Sequence, residues 1–314
     1  MNEFLEPFER MLEAMSPPAA VRAIEAGEPA GTLWNGIAES GFLDALVPEE
    51  RGGAGLPLAE VGALWQALGR HAVPLPVGET MIARALLVEA PDGPITLAVA
   101  SAGGEVVVPF GRVASHVLLE KDGQLHLVAA EGTPTEVFGN TALRVNPAPG
   151  AAVASAPEGG LRAVAAILRA ALIAGAADRL TSMTAAYANE RVQFGKPIGK
   201  QQALQQQMAV MAEDMVACRI AAQLGCAGGL PPRFVAAATA KSVTSAAAAR
   251  LAATAHAVHG AIGISEEYDL QLYTRRLHEW RLTDGSESYW NRLLGAARLA
   301  DGRGSVDYIR TAFA

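Results

Sequence analysis

The sequence predicts a mainly α-helical protein interrupted by one small β segment, with an N-terminal helical domain, a small central β domain and a C-terminal four-helix bundle. Three observations carry this expectation. Apolar residues make up 51% of the 314 residues while aromatics make up only 5%; the excess is alanine, the best intrinsic helix former. Between about 93 and 150 the apolar pattern shortens to the period of strands. Beyond about 160 it returns to long helical repeats, and at roughly 150 residues per domain the length allows about two domains with an ample core.

In the first stretch, 1–92, Phe4, Phe8, Met11, Leu12 and Met15 recur at helical spacing, as do the apolar residues of Leu33–Phe42 and Leu58–Leu68. Between these lies the glycine-rich run Val47–Gly55. It reads as a helix connector, since it lacks the Lys-Ser/Thr ending of a phosphate loop. In the second stretch, 93–150, strands are expected at Ile95–Ala100, Val106–Phe110, Val117–Glu120 and Leu125–Ala129, with Asp122-Gly123 as a hairpin turn. Asn146–Gly160, rich in Pro, Ala and Gly, reads as a linker. The third stretch, 151–314, carries expected helices at 161–190, 200–228, 232–260 and 286–300. Within it Leu204, Met208, Met211, Met215 and Cys218 form one continuous apolar seam.

Composition excludes several function classes. The 25 basic residues against 32 acidic ones leave a net charge of −7, which argues against nucleic-acid binding or a polybasic membrane surface. Cys218 and Cys226 have no histidine at metal spacing, so neither a disulfide framework nor a zinc site is expected. The acidic N-terminus lacks the basic start and apolar run of a signal peptide. The most apolar window, Ala163–Ala177, is interrupted by Arg169 and reads as a buried core helix rather than a membrane span. A soluble, cytoplasmic protein is expected.

The most informative segment is Arg191-Val192-Gln193-Phe194-Gly195-Lys196-Pro197-Ile198-Gly199-Lys200-Gln201-Gln202. A helix ending at Arg191, a turn around Gly195 and Pro197, and a helix starting near Gly199 would gather an arginine, lysines and backbone amides. That set suits an anionic ligand; a plain corner with solvated charges is the alternative. His256 and His259 could supply half a metal site, but no third ligand falls at spacing beside them.

At these residues the chain resembles the acyl-CoA dehydrogenases, flavin enzymes that desaturate acyl-CoA thioesters. Arg191, Phe194, Gly195, Ile198 and Gln202 match the family signature Arg-x-x-Phe-Gly-x-x-Ile-x-x-x-Gln. Trp34, Ala38–Phe42, Pro48-Glu49-Glu50, Gly52-Gly53-x-Gly55-Leu56 and Leu68-Gly69-Arg70 look like the family's N-terminal region. His259-Gly260-Ala261-Ile262-Gly263 resembles its His-Gly-Gly-x-Gly turn, and the run from Arg275 to Asp284-Gly285-Ser286 follows at family spacing. The resemblance implies FAD, with Arg191, Gln193, Phe194, Ile198 and Gln201 reaching the dinucleotide across a subunit interface. It implies backbone approach at Gly260 and Gly263, and hydrogen bonds to the cofactor from Ser286 and Ser288. It also implies an electron-transfer flavoprotein as electron acceptor and oligomerisation through the C-terminal bundle.

Two departures qualify what the resemblance implies. Most members place glutamate where this chain has Asp284, which is a competent but shorter base; the alternative is that Asp284 caps the following helix. The position used for the base by other members corresponds to about Ala165, which cannot serve. Secondly, the family's Thr-Glu-Pro-x-x-Gly-Ser and Trp-Ile-Thr segments are missing between 93 and 150, and Ala257 replaces a usual glutamine. Short members of this kind are subunits of heteromeric dehydrogenases acting on bulky thioesters such as steroid side-chain CoA esters. The expectation is therefore an acyl-CoA dehydrogenase subunit completed by a longer partner. A catalytically silent partner subunit and a flavin oxidase or hydroxylase of the same superfamily are the alternatives.

Overall fold

A computed structural model describes residues 3–100 and 104–313. The N-terminal region holds helices α1 (Leu5–Met15), α2 (Pro18–Glu25), α3 (Gly31–Glu39), α4 (Leu58–Arg70) and α5 (Val77–Leu86). The glycine-rich run between α3 and α4 closes on itself: the amides of Gly53, Ala54, Gly55 and Leu56 donate to the carbonyls of Pro48, Asp44, Val47 and Ala45. Those four amides are spent internally rather than offered to a phosphate. The run is a connector.

The middle region forms two small sheets. In one, β1 (Ile95–Val99) pairs in parallel with β3 (His116–Lys121), which pairs antiparallel with β4 (Gln124–Ala129). The other joins β2 (Val106–Val108) to β6 (Leu143–Val145) and β5 (Thr133–Pro134). Ala98, Val106, Val117, Leu119, Leu143 and Val145 fill the space between the sheets. The turn expected at Asp122-Gly123 is present with φ of 51° and 74°, the positive pair that a two-residue hairpin loop demands. Two expectations are corrected. The strand at Val106–Phe110 stops at Val108, because Phe110 turns into the left-handed region at φ 57°. The supposed linker 146–160 includes β7 (Ala154–Ser155), which pairs with Gln124 and Leu125 and ties the segment to the sheet.

The C-terminal region begins with α6 (Gly160–Glu190), about 46 Å long at 1.5 Å per residue. Nearly every residue from Leu161 to Ala177 is buried. Its most apolar 18-residue window is 89% buried inside the protein, so its apolarity serves the core. α4 lies along one side of α6, and Gly69 and Gly175 permit the approach: a methyl group on either would run into the backbone of the other helix, at Leu172 and Gln66 respectively. After the hairpin β8 (Val192–Gln193) and β9 (Lys196–Pro197) come α7 (Gln202–Gly225), α8 (Phe234–His259), α9 (Leu270–Leu282), α10 (Glu287–Ala300) and α11 (Ser305–Phe313). The bundle is α6 to α9, with α10 packed on α8. The seam on α7 faces inward: Met211 and Cys218 are buried, while Leu204, Met208 and Met215 are partly so. One apolar core runs through the N-terminal helices, β1 and the bundle. Both cysteines are free and buried, and burial pushes each thiol up to about 12.

Candidate active site

The segment 191–202 folds much as its spacing suggests. α6 ends at Glu190, and Phe194 (φ 53°) and Gly195 (φ 76°) form the tip of the β8–β9 hairpin. The Ile198 amide donates to the Arg191 carbonyl at 2.8 Å, folding the chain back before α7 begins. Against this corner lies the turn Gly260–Ile264 at the end of α8. Together they wall a cavity of about 670 Å³ lined by Arg191, Gln193, Phe194, Ile198, Gln201 and Gly260, among others. Gly260 sits at φ 61° and ψ −138°, a conformation only glycine adopts readily. Phe194 is 91% exposed at the rim, an aromatic face left to solvent. His259 is held beneath the turn, stacked on Tyr187 with ring centroids 4.4 Å apart and Nδ1 2.8 Å from the Ala255 carbonyl. Gly263 does not reach the cavity surface: it is buried, and a methyl group there would meet His259 Cβ at 2.9 Å and Leu270 at 3.0 Å.

Asp284 belongs to a second cavity, of about 430 Å³, between the small sheets and the bundle. The turn joining α9 to α10 places Asp284 at φ 60° and Gly285 at φ 102°. The helix cap expected of Asp284 is supplied by Ser286, whose Oγ accepts from the Tyr289 amide at 3.4 Å. Asp284 instead meets a buried cation. Its Oδ2 accepts from Arg169 Nε at 3.0 Å, and Arg169 Nη1 donates to Glu79 Oε1 at 2.5 Å. Arg169 is fully buried, and its Nη2 has no partner. Burial pushes the Glu79 carboxyl up, opposed by the Arg169 charge. Burial also works against the Arg169 charge, but Glu79 and Asp284 outweigh it and hold the guanidinium protonated. Ser286 and Ser288 follow on the same turn and first helical turn, with Ser288 exposed; neither lines the Arg191 cavity.

A second buried cation holds the backbone of this turn. Lys241, on α8, donates from Nζ to Ser245 Oγ at 2.8 Å, to the Arg281 carbonyl at 2.9 Å and to the Gly285 carbonyl at 2.8 Å. Three acceptors match the three ammonium protons. Burial pushes Lys241 down to about 7, with the Asp284 charge pulling it back up. Above about pH 7 the folded chain releases this proton, while the unfolded chain keeps it to about 10.5. Stability therefore rises with pH between these values. Equilibrium urea unfolding is expected to show a gain of about 1–2 kcal/mol from pH 7 to 8.5, absent in Lys241→Met.

Sequence reading missed Glu79, Arg169 as a site residue, and Lys241. One signal was present: an arginine inside an apolar helix must have a buried anionic partner. The sequence does not say which. The pair Arg275-Arg276 is neutralised internally, both residues meeting Glu25 at 2.6 and 2.7 Å. His256 Nε2 lies 3.1 Å from Thr274 Oγ1, and no cluster of three metal-ligating side chains occurs among the described residues.

The two cavities differ in their fit to an adenine dinucleotide. The Arg191 corner has a guanidinium for phosphate, amides from Gln193 and Gln201, an exposed ring and a glycine backbone, a donor set suited to the phosphate and adenine end. At the Asp284 cavity β1 and β2 contribute Leu97, Ala98, Val99, Val106 and Val107, whose side chains cannot hydrogen-bond a flavin ring; the polar side chains there are Asn140 of the middle region and Arg162, Glu279, Thr283 and Asp284 of the C-terminal region.

Family models described as "Acyl-CoA dehydrogenase, N-terminal domain" and "Acyl-CoA dehydrogenase, C-terminal domain" match residues 2–90 and 163–300. The acyl-CoA dehydrogenase IpdE2 of Mycobacterium tuberculosis is 36% identical over 83% of this chain and 85% of its own length. Among solved structures, a Tcur3481–Tcur3483 steroid ACAD variant is 25% identical with a TM-score of 0.80, covering 95% of this chain and 98% of that one. The ChsE4–ChsE5 complex from Mycobacterium tuberculosis shares the fold at a TM-score of 0.79 and 23% identity, over 96% of this chain and 98% of that one.

Proposed function

The chain belongs to the acyl-CoA dehydrogenase family of oxidoreductases, and on that premise we propose that it is one subunit of a heteromeric, FAD-dependent, cytoplasmic acyl-CoA dehydrogenase. The observation that carries this reading is the asymmetry of the two cavities. The Arg191 corner carries donors suited to a dinucleotide, whereas β1 and β2 turn only apolar side chains to the Asp284 cavity and Asn140 is the one polar side chain of the middle region there. Arg191, Gln193, Phe194, Ile198, Gln201 and Gly260 hold the phosphate and adenine end of FAD. Gly263 supports the turn from behind, and Ser286 and Ser288 are the further candidates for hydrogen bonds to it. A longer family member supplies the ring cradle and docks on the bundle. Val210 and Ile220 on α7, exposed in the single chain, favour that face. The likeness to a steroid ACAD supports a bulky acyl-CoA as substrate.

In this reading a bound FAD would supply the hydride acceptor for the β-carbon, with an electron-transfer flavoprotein as the onward electron acceptor. Asp284 removes the α-proton, taking it on Oδ1, the oxygen that Arg169 leaves free. Arg169 fixes the carboxylate from behind, and the hydrogen bonds from Lys241 fix the turn that carries it. The second reading is a silent subunit that only completes a partner's site. It is favoured by the same contact, since a carboxylate bound to a buried guanidinium is held for structure as well as for catalysis.

Expressed alone, the chain is expected to purify with well under stoichiometric FAD, and co-expression with a longer family member should restore the yellow absorbance. In that complex Arg191→Ala should weaken FAD retention roughly tenfold, the order of one charge-assisted phosphate contact, measured by flavin fluorescence on dilution. Full FAD occupancy of the isolated chain would refute the divided site.

A further inference from the structure

The turn Gly260–Ile264 that walls the Arg191 cavity runs on into 265–269, a stretch without regular structure that leads into α9. A side chain from the N-terminal region holds it. Arg22, on α2, donates from Nε to the Glu266 carbonyl at 3.3 Å, and from Nη2 to the Glu267 carbonyl at 3.1 Å and to Asp269 Oδ1 at 2.5 Å. Among the described residues no backbone amide donates to either carbonyl. The guanidinium therefore stands in for the hydrogen bonds that a helix or strand would give this stretch.

Tyr268 sits inside the clasped stretch, and its ring reaches back to the residue that opens the turn. It packs on His259 with ring centroids 5.3 Å apart and edge-on to Tyr187 at 6.3 Å. Tyr187 in turn stacks on His259 and donates from its hydroxyl to the His259 carbonyl at 3.3 Å. His259 immediately precedes Gly260, whose φ of 61° sets the course of the turn. The contacts form one path, from Arg22 through 266–269 and Tyr268 to His259 and the glycine backbone at the cavity wall. Arg22 itself does not line the cavity, so it acts there only through this path.

We propose that Arg22 is a positioning residue for the dinucleotide corner, setting the Gly260 turn through Tyr268 and His259, so that α2 of the N-terminal region helps to hold the adenine and phosphate end of the cofactor. The proposal rests on the reading that the Arg191 corner receives that end. Backbone that approaches a ligand closely must be held in place, since a displacement of about 1 Å breaks a hydrogen bond. The ion pair itself adds little to stability, because the Arg22 and Asp269 side chains are 32% and 35% exposed. Loss of the clasp therefore falls on the ligand more than on the fold.

The probe is ADP, which carries the adenine and diphosphate alone, titrated by calorimetry into the full chain. Arg22→Gln is expected to weaken ADP binding at least about fivefold, with the midpoint of thermal unfolding nearly unchanged. Tyr268→Ala should weaken it to a similar extent, whereas Tyr268→Phe, which keeps the ring, should bind ADP as the native chain does. The double variant Arg22→Gln with Tyr268→Ala should bind no more weakly than the weaker single variant, because both interrupt one path. ADP affinity left intact in Arg22→Gln overturns the proposal. Losses that multiply in the double variant also overturn it, since the two residues then act independently, as does a loss matched by a fall in the unfolding midpoint, which makes Arg22 a general stabiliser. A native chain that binds no ADP refutes the reading of the corner and the proposal with it, so the native titration tells the two failures apart.

Discussion

Asp284→Asn is expected to lower the rate of acyl-CoA-dependent flavin bleaching in the assembled enzyme by about 10²–10⁴-fold, the range over which a positioned general base acts. Asparagine has the same shape and still offers Arg169 an oxygen, so the turn and its hydrogen bonds from Lys241 and Trp290 should persist. Thioester affinity should change little, because the loss falls on the proton-transfer step. One electrostatic consequence gives an independent readout. Asp284 raises the proton affinity of Lys241, so its neutralisation lets Lys241 lose its proton at lower pH, and the rise in stability begins earlier. Stopped-flow absorbance at the flavin band measures the first effect and urea unfolding across pH the second. Unchanged bleaching together with the shifted stability profile would assign the base to the partner and make this chain the silent subunit.

The parts of this molecule that were legible in the sequence are those encoded locally. The strands β1, β3 and β4 and the turn at Asp122-Gly123 follow from alternation and turn chemistry within a few residues. The corner from Arg191 to Gln201 is contiguous, so its composition already carried its chemistry. α9 was not singled out, because Tyr273-Thr274-Arg275-Arg276 and His278-Glu279 interrupt its apolar pattern with charge. Its burial becomes intelligible only once Glu25, some 250 residues away in sequence, is seen to neutralise Arg275. The surroundings of Asp284 were illegible for the same reason. Arg169 lies 115 residues before it and Glu79 another 90 before that. No local rule pairs such residues; the packing of α4, α5, α6 and the α9–α10 turn does.

Arg169→Met should destabilise the protein by about 3–5 kcal/mol at neutral pH, the cost of removing one member of a buried ion pair and leaving the other charged. Methionine fills much of the same volume, so the loss is electrostatic rather than a cavity. Without the guanidinium, Glu79 and Asp284 are left without their common counter-ion. Glu79, already pushed up by burial with Arg169 opposing, must then hold a proton at still higher pH. For a carboxyl whose folded value is raised, the unfolded chain loses its proton first as pH rises, so the folded state loses stability between the unfolded and folded values. The deficit of Arg169→Met relative to the native protein should therefore be small near pH 4 and widen towards pH 7. Glu79→Leu added to Arg169→Met removes the more deeply buried of the two uncompensated acids and should recover most of the stability, because an apolar replacement of a buried pair is often close to neutral. Catalysis should not recover with it. Asp284 would still lack the contact that orients it, so the double variant is expected to fold like the native chain while bleaching flavin at least about tenfold more slowly. Chemical denaturation at several pH values and stopped-flow bleaching on the same three proteins separate the two roles of Arg169. Full recovery of both stability and rate in the double variant would reduce Arg169 to a neutraliser of Glu79, with no part in positioning Asp284.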